Sequence, residues 1–326
     1  MHRLNFFLLV HIVLLVLLTG FAHADELPSW NETPVKQAIL DYVKAVTTPG
    51  SEDFVPQPER VAVFDNDGTF TCERPNYAST LFQAGLVRSL IAKGKIDDAK
   101  MPFKAWNAFD KDALKKYGWK AAYQEMNAAF AGMPVAAYRD SARAFMDRYV
   151  HPRYRVLLPR LYYAPMLELA DLLTGHGFQL WVVTGSEQEF MRSFLEDATG
   201  VPPEKIIGSW TPGVSTQEGK EIHIVRGTVQ VYNGHEAKPG NIDTRIGRRP
   251  LFVVGNSDND QPMCRYALTG ERLGFALWIH HDDSKREYKY DKGTDDMADL
   301  VKDKDNAWRI SMEKDWQQIF QDGVLD

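Results

Sequence analysis

The sequence predicts an α/β fold in which a Rossmann-like parallel sheet is covered by helices on both faces. Short apolar runs rich in β-branched residues alternate along the chain with segments of helical periodicity, which is typical of such a sheet. The strands predicted from these runs span residues 60–64, 178–183, 206–207, 251–254 and 275–279. Ligands bind beyond the carboxyl ends of the strands in sheets of this kind. We therefore expect the functional residues to follow the strands directly.

Helical patterns occur before the first predicted strand, at residues 34–46, and between later strands, at residues 166–173 and 187–198. Residues 221–232 alternate around Gly227 and predict a β-hairpin. The charge-rich stretch 282–292 predicts a solvated surface. For residues 281–326 as a whole, two alternatives stay open: they complete the core or they form a separate lid.

A longer helical region, residues 78–149, follows the first predicted strand. Large side chains recur in it at helical spacing, at Trp119, Tyr123, Met126 and Phe130. We interpret this region as an inserted α-helical cap. The predicted domains are a catalytic core made of residues 25–77 and 160–326, and a cap made of residues 78–159.

Composition places the chain among globular proteins, because 44% of its 326 residues are hydrophobic and 25% are charged. The net charge is −6, from 38 basic and 44 acidic residues. This balance argues against a general nucleic-acid binder, which carries a basic patch or stripe. It is compatible with a small phosphorylated substrate, since a few local groups can outweigh the global charge.

The first 24 residues have the pattern of a secretory signal peptide. Arg3 precedes an apolar run at residues 6–18, and the small-x-small sequence Ala22-His23-Ala24 follows. The alternative is an uncleaved membrane anchor, but apolar character fades after Leu18. No later stretch is long and apolar enough to span a bilayer. We expect cleavage, no stable membrane insertion afterwards, and a periplasmic protein if the source is Gram-negative.

Two cysteines, Cys72 and Cys264, are present. Each follows a motif, and the motifs are expected to lie near each other. An oxidising compartment permits a disulfide between them. The alternative is a pair of small buried thiols.

The first motif is Asp65-Asn66-Asp67-Gly68-Thr69, at the end of the first predicted strand. Side chains two residues apart on a strand project from the same face, so Asp65 and Asp67 are expected to converge. Paired carboxylates suit metal binding and divided acid and base roles, and an ionised Asp can attack phosphorus. The alternative is an Asp-rich turn that closes a strand.

The second motif, Thr184-Gly185-Ser186, follows the second predicted strand. Ser186 and Glu189 fit a capping box, and a helix N-terminus offers free N–H groups to an anion. The Thr184 hydroxyl and the Gly185 N–H are therefore candidates for holding phosphate oxygens. The third candidate for holding phosphate oxygens is Lys238, which follows the predicted hairpin. Taken alone, Lys238 is interpreted as a solvated charge on the surface.

The last motif follows the strand predicted at 251–254 and contains Asn256, Asp258 and Asp260. Oxygen-bearing side chains at a strand end suit a hard cation. Asp260 also suits the N-cap of the next helix, because Gln261-Pro262 follows it. Both roles stay open for Asp260.

These four motifs, in this order at successive strand ends, resemble the haloacid dehalogenase superfamily of phosphohydrolases over residues 60–280. The helical insertion resembles the cap of the phosphoserine-phosphatase-like branch. The resemblance implies that Asp65 is the nucleophile and a metal ligand. It implies that Asp67 protonates the leaving alcohol, activates water and binds metal through its backbone carbonyl. Thr184 and Lys238 would hold the phosphoryl group, and Mg²⁺ or another divalent cation would be the cofactor.

Asn256 departs from the pattern of this superfamily, which usually has an Asp at that position as a magnesium ligand. An amide oxygen still binds a cation but brings no negative charge. We predict that Asn256 is a metal ligand and that metal binding is weaker or is compensated by Asp258 or Asp260. Of these two, Asp260 is predicted to be either an alternate ligand or a residue that supports the ligands.

Aromatic residues are frequent in and next to the predicted cap: Trp106, Phe109, Trp119, Tyr123, Tyr162 and Tyr163. Most are expected to form the core of the cap, while a few face the site and select the substrate. A cap limits access, so small substrates are favoured over phosphoproteins.

The function predicted from these observations is an exported, metal-dependent phosphatase that forms an aspartyl-phosphate intermediate. A phosphotransferase with the same site is one alternative. A non-catalytic periplasmic protein that binds a phosphorylated metabolite is another, and Asn256 is its motive. A structural periplasmic protein is the weakest alternative, because it leaves the order of the motifs unexplained.

Overall fold

The structure, a computed structural model, describes residues 26–321 and residue 324. The predicted signal peptide, residues 1–24, lies outside the described residues, so its cleavage stays a prediction. Within the part of the chain that the structure describes, no helix is long and apolar enough to cross a membrane.

A six-stranded parallel sheet forms the centre of the molecule, with the strand order β3-β2-β1-β6-β7-β8. A separate antiparallel ribbon contains β4 and β5. The strands are β1 Val61–Phe64, β2 Gln179–Glu187, β3 Ile206–Ser209, β4 Gly213–Glu218, β5 Glu221–Arg226, β6 Phe252–Gly255, β7 Phe275–His280 and β8 Ala307–Ser311. The predicted α/β class and parallel sheet are thereby confirmed.

Helices connect these strands and cover both faces of the sheet. Over the described residues they are α1 Pro34–Thr47, α2 Ala78–Ala92, α3 Phe103–Ala108, α4 Lys111–Tyr117, α5 Trp119–Ala129, α6 Val135–Met146, α7 Ala164–Gly175, α8 Gln188–Met191, α9 Leu195–Thr199, α10 Ala237–Ile246, α11 Gln261–Leu268, α12 Asp295–Val301 and α13 Met312–Asp315. Because side chains alternate across a strand, Ala62 and Phe64 of β1 pack on one face and Val61 and Val63 on the other. Helices α10, α11 and α12 cover the second face, while α1, α7 and the helices that follow β1 pack against the first.

The helical insertion lies where it is predicted, between β1 and β2, and consists of α2 to α6. Its domain boundaries at residues 78 and 159 stay a prediction. Arg226 at the end of β5 ties the ribbon to this insertion. The Arg226 guanidinium is buried, donates to Asn127 Oδ1 at 3.0 Å and lies 4.0 Å from the centre of the Tyr138 ring. It also pairs with Glu187 Oε1 of β2 at 2.7 Å, so one side chain links ribbon, insertion and sheet.

The start of the helix after β2 is wrong in the sequence prediction. Strand β2 continues through Glu187, and α8 begins at Gln188, with the Glu187 carboxylate accepting from Phe190 N. Ser186 is therefore a strand residue and does not cap a helix. The helix predicted at 187–198 is two short helices, α8 and α9.

The predicted hairpin also differs from the structure. Strand β5 pairs with the segment before it, so the turn lies at Gly219 and Lys220, where Gly219 has a φ of +60°. Gly227 is outside the ribbon, and a Cβ there would lie 2.7 Å from Pro212 O. Alternation alone identified one strand correctly and assigned its partner to the wrong side.

The chain after residue 280 completes the core, because β8 joins the sheet beside β7. The prediction that residues 282–292 form a solvated surface is wrong: Asp283 and Glu287 are buried. The disulfide is not formed either. Cys72 and Cys264 are free and buried, and they belong to hydrophobic clusters on opposite faces of the sheet.

Candidate active site

The order of strands in the sheet creates a crevice between β1 and β6. The chain leaves β1 toward β2 on one side and reaches β6 on the other, and ligands bind at such a switch point. Asp65 follows β1 and Asn256 follows β6, so the first and last motifs meet there. The Asp65 N–H donates to Val254 O at 3.0 Å and extends the pairing of the two strands by one residue.

A tight turn follows Asp65 and shapes the first motif. The Asn66 carbonyl accepts from the N–H groups of Thr69 and Phe70, and the Gly68 N–H donates to Thr71 O. Gly68 has a φ of +78°, which strongly favours glycine. The turn holds both carboxylates of the motif at the floor of a cavity.

Lys238 lies beneath this floor and is fully buried. Its ammonium group donates to Asp65 Oδ1 at 2.8 Å, to Asp260 Oδ1 at 2.6 Å and to Val183 O at 2.9 Å. Burial alone would lower the pKa of Lys238, but Asp260 and Asp65 outweigh it and raise the pKa. Lys238 is on α10, a helix that the sequence analysis did not predict. The interpretation of Lys238 as a solvated charge on the surface is therefore wrong.

Asp65 itself is almost completely buried. Burial and the neighbouring Asp260 raise the pKa of Asp65, while Lys238 opposes that rise. A single ammonium group thus faces two buried carboxylates. The site is short of positive charge, which a divalent cation would supply.

Asp67 is half-buried and contacts the second motif. Its Oδ2 accepts from Ser186 Oγ at 2.6 Å and from Thr184 Oγ1 at 3.4 Å. Burial raises the pKa of Asp67, and the hydrogen bonds from Ser186 and Thr184 oppose the rise. A carboxyl group that keeps its proton at higher pH suits a general acid. This role of Ser186 was not predictable from the sequence, because Ser186 and Glu189 have the spacing of a capping box.

Thr184 and Gly185 lie in the last part of β2, and both line the cavity. Thr184 Oγ1 accepts from the Ser186 N–H at 3.0 Å. Gly185 lies within the strand, so the prediction that its N–H group is at the N-terminus of a helix is wrong. The structure adds Asn233, whose amide donates to Thr184 O and Ile207 O at 2.9 Å each and so fixes the ends of β2 and β3.

Asp260 occupies the N-cap position of α11, yet its side chain caps no helical N–H. Its Oδ2 accepts from the N–H groups of Asn256 and Ser257 at 3.0 and 3.1 Å, and its Oδ1 accepts from Lys238. Asp258 Oδ1 accepts from the Met297 N–H, which turns this carboxylate toward α12. Both acids are therefore engaged in fixed hydrogen bonds.

A buried pair, His281 and Glu287, contacts the first motif from below. His281 Nε2 lies 2.8 Å from Gly68 O, and His281 Nδ1 lies 3.0 Å from Glu287 Oε2. The carbonyl requires a proton on Nε2, so the ring donates to the turn that carries Asp67. No sequence signal distinguished these residues from the charged residues around them.

The cavity above these groups has a volume of about 680 Å³ and lies between the sheet and the helical insertion. Asp65, Asp67, Thr184, Gly185 and Asn256 line it from the core. From the insertion and from the segment after β5 it is lined by Ser79, Thr80, Gln83, Trp119, Lys120, Tyr123, Gln124, Gln230 and Tyr232.

The aromatic residues of the insertion divide between the two predicted roles. Trp119 and Tyr123 line the cavity, and Trp106 packs edge-on behind both at centroid distances of 6.1 and 5.0 Å. Tyr162 and Tyr163 are buried. Phe109 borders a smaller adjacent cavity of about 220 Å³.

The oxygen atoms around the first and last motifs fit a hard divalent cation. One end of the Asn256 amide lies 3.2 Å from Asp67 O and 3.3 Å from Asp260 Oδ2. If this end of the amide is the nitrogen, it donates hydrogen bonds to both atoms. If it is the oxygen, it and Asp67 O are two neighbouring oxygen atoms that could bind a cation together. Over the described residues, no group of three or more His, Cys, Asp or Glu side chains converges as a metal cluster. The oxygen atoms that would hold a cation here are of three kinds: carboxylate, amide and backbone carbonyl.

A family model described as haloacid dehalogenase-like hydrolase matches residues 62–265, more than half of the chain. This match covers all four motifs. A comparison with curated proteins gives no significant match.

Several solved structures resemble the chain, including the following three. A conserved, functionally unknown protein from Anaerococcus prevotii DSM 20548 has a TM-score of 0.56 at 15% identity, covering 84% of this chain and 91% of that one. A protein with unknown function from Bordetella pertussis Tohama I has a TM-score of 0.46 at 15% identity, covering 68% and 90%. A phosphoserine phosphohydrolase-like protein from Francisella tularensis subsp. tularensis SCHU S4 has a TM-score of 0.39 at 16% identity, covering 74% and 99%. The first of these likenesses supports the fold and nothing beyond it.

Proposed function

We propose that this chain, which belongs to the haloacid dehalogenase-like hydrolase family, is a metal-dependent phosphatase that hydrolyses a small phosphomonoester. The observation that carries the proposal is the arrangement around Lys238, whose ammonium group holds Asp65 at the floor of a cavity. Asp67 is two residues after Asp65 in the sequence, and its carboxyl group accepts a hydrogen bond from the Ser186 hydroxyl. Asp65 as nucleophile and Asp67 as general acid therefore line the same cavity.

In the first step, a carboxylate oxygen of Asp65 attacks phosphorus and the bond to the leaving oxygen breaks. Asp67 gives its proton to that oxygen, so the product leaves as a neutral alcohol. In the second step, Asp67 takes a proton from water as the water oxygen attacks the phosphorus of the aspartyl-phosphate. Inorganic phosphate leaves and the Asp65 carboxylate is restored.

Lys238 and Thr184 assist by position and charge. Phosphoryl transfer depends mainly on orientation and on neutralising charge spread over the phosphoryl oxygens. Lys238 fixes Asp65, and its positive charge lies beneath the reacting group. The Thr184 hydroxyl and the Gly185 N–H are at the cavity wall, where they are candidates for phosphoryl contacts.

A divalent cation, Mg²⁺ in the first instance, would be held by the Asp65 carboxylate, the Asp67 carbonyl and the Asn256 amide oxygen. When bound it would neutralise negative charge on the phosphoryl group. Asp260 takes part by holding Lys238 and the backbone N–H groups of Asn256 and Ser257 rather than as a free carboxylate.

A small substrate is supported by the cavity, because the helical insertion covers the reacting groups. The volume of about 680 Å³ accommodates a small organic leaving group but not a folded phosphoprotein. Export remains a proposal from the first 24 residues alone. Edman sequencing of the secreted protein is expected to begin at Asp25, whereas an intact N-terminus in the membrane fraction would favour an anchor.

The test is release of p-nitrophenol from p-nitrophenyl phosphate by the mature protein, with Mg²⁺ and with EDTA. Metal-dependent release is expected. Added alcohol separates hydrolysis from transfer, because a phosphotransferase would form an alkyl phosphate. Ligand binding with no turnover under any divalent metal would favour the non-catalytic binding protein, which Asn256 motivates.

A further inference from the structure

The cation site lacks one negative charge at the position of Asn256, and the two acids predicted to compensate for it accept hydrogen bonds from other groups. Asp258 accepts from the Met297 N–H and points toward α12. Asp260 gives one oxygen to Lys238 and the other to two backbone N–H groups. An additional carboxylate must come from elsewhere if the charge is to be balanced.

Glu73 is an acidic residue that lies close to Asn256 in the cavity. Its carboxylate is buried, and it lines the cavity together with Asp67 and Asn256. A Cβ built on Gly68 would lie 2.0 Å from Asn256 Nδ2 and 3.1 Å from Glu73 Cδ. Both side chains therefore pack against the same side of Gly68, directly after the predicted carbonyl ligand, Asp67.

The Tyr290 hydroxyl connects the two side chains. It lies 3.5 Å from Asn256 Nδ2, and it is close enough to the Glu73 carboxyl group to oppose the rise in the pKa of that group. On the outer side, Arg74 Nη2 lies 3.4 Å from Glu73 Oε1, and the Arg74 guanidinium stacks 4.1 Å from the centre of the Tyr290 ring. Tyr290 and Arg74 therefore hold the Glu73 carboxylate beside the Asn256 amide.

We propose that Glu73 supplies the negative charge that Asn256 does not bring, and that it holds the hydrated divalent cation from the side of Gly68. This inference rests on the proposed function. Mg²⁺ gives up water reluctantly and keeps several water ligands in most protein sites, so a nearby carboxylate can act through those waters.

The experiment is calorimetric titration of metal-free protein with MgCl₂, without substrate. Glu73→Gln is expected to weaken Mg²⁺ binding by about 10- to 100-fold, the range typical of residues that support metal ligands. Asn256→Asp is expected to tighten binding. Asp258→Asn is the matched control, because it removes a nearby acid that points away, and its affinity is expected to equal that of the wild type.

The double variant Glu73→Gln/Asn256→Asp tests the same claim in a second background. It is expected to bind Mg²⁺ less tightly than Asn256→Asp and close to the wild type, since one charge replaces the other. This comparison stands even if Glu73→Gln alone does not fold.

Two results would overturn the inference, and they differ in what they leave standing. Equal Mg²⁺ affinity with and without the Glu73 carboxylate, in either background, removes Glu73 from the cation site and leaves the proposed function intact. A wild-type protein that binds neither Mg²⁺ nor Mn²⁺ removes the metal-dependent function as well.

Discussion

Lys238 Nζ and Asp65 Oδ1 are joined by a hydrogen bond of 2.8 Å, although the two residues are 173 positions apart in the sequence. Both side chains are buried, and Asp260 completes the group on the other side of the ammonium. A buried charge without a partner is costly, so each member of this trio depends on the others. The trio fixes the carboxylate that we propose as nucleophile.

Lys238→Met is expected to lower the free energy of unfolding by about 3–5 kcal/mol, because it leaves two buried carboxylates facing each other. Hydrolysis of p-nitrophenyl phosphate should fall below detection in the same variant. Urea unfolding followed by tryptophan fluorescence measures the first effect, with Lys289→Met at an exposed position as the control. An unfolding free energy equal to that of the control would show that Asp65 and Asp260 do not depend on Lys238.

Ser186→Ala removes the 2.6 Å hydrogen bond to Asp67 Oδ2. We expect kcat to fall by about tenfold or more, since a general acid must be oriented toward the leaving oxygen. Stability should change little, because Ser186 is only half-buried. Steady-state kinetics tests the claim, and a kcat equal to that of the wild type would exclude Ser186 from orienting Asp67.

His281 holds the turn of the first motif by donating to Gly68 O. Replacing it with Leu should reduce both stability and kcat, because the buried Glu287 and the Gly68 carbonyl lose their partner. His281→Gln retains an N–H donor and should recover part of the loss in kcat. If Gln and Leu gave the same kcat, the contact with Gly68 would have no role in placing Asp67.

Glu73 predicts a pH dependence of stability in metal-free protein. Burial raises the pKa of Glu73 from 4.5 to about 7, against the opposing effects of Arg74, His281 and the Tyr290 hydroxyl and with Asp67 adding to the rise. Between these values the unfolded chain releases the proton and the folded chain keeps it. Stability should therefore fall as pH rises through this window, by on the order of 3 kcal/mol.

Urea unfolding in EDTA at several pH values between 4.5 and 7 measures this slope. Glu73→Gln should have a flatter profile than the wild type over the same range. An identical slope in both proteins would mean that Glu73 ionises as easily in the folded chain as in the unfolded one.

The sequence predicted the positions of strands β1, β2 and β6 well, because each depends on local information. The β-branched runs at β1, β2 and β6 are short, apolar and bounded by polar motifs, so Asp65, Thr184 and Asn256 could be placed at one edge of the sheet. The order of the strands then brings these motifs together at the crevice between β1 and β6.

Contacts between distant segments were not predictable in this way. Residues 282–292 are charge-rich and resemble a surface, but Glu287 pairs with His281, and His281 reaches Gly68 across 213 positions. Nothing in the local pattern of either segment indicates that pair. Glu73 is a similar case, since its place beside Asn256 depends on the turn at Gly68.

Local patterns also failed where two elements compete for the same residues. Ser186 and Glu189 have the spacing of a capping box, yet β2 runs to Glu187, which pairs with Ser209 of β3 beyond an irregularity that follows Val183. Tertiary pairing therefore overrides the helix-start signal, and Ser186 becomes available to Asp67.

The central claim is that Asp65 is the nucleophile, and the most direct test is to trap its phosphorylated form. Wild-type protein is mixed with p-nitrophenyl phosphate and Mg²⁺, quenched with acid within the first turnover, digested and analysed by mass spectrometry. We predict one phosphoryl group on Asp65 in the wild type and neither phosphorylation nor turnover in Asp65→Asn. Turnover by Asp65→Asn, or phosphorylation of another residue, would contradict the account.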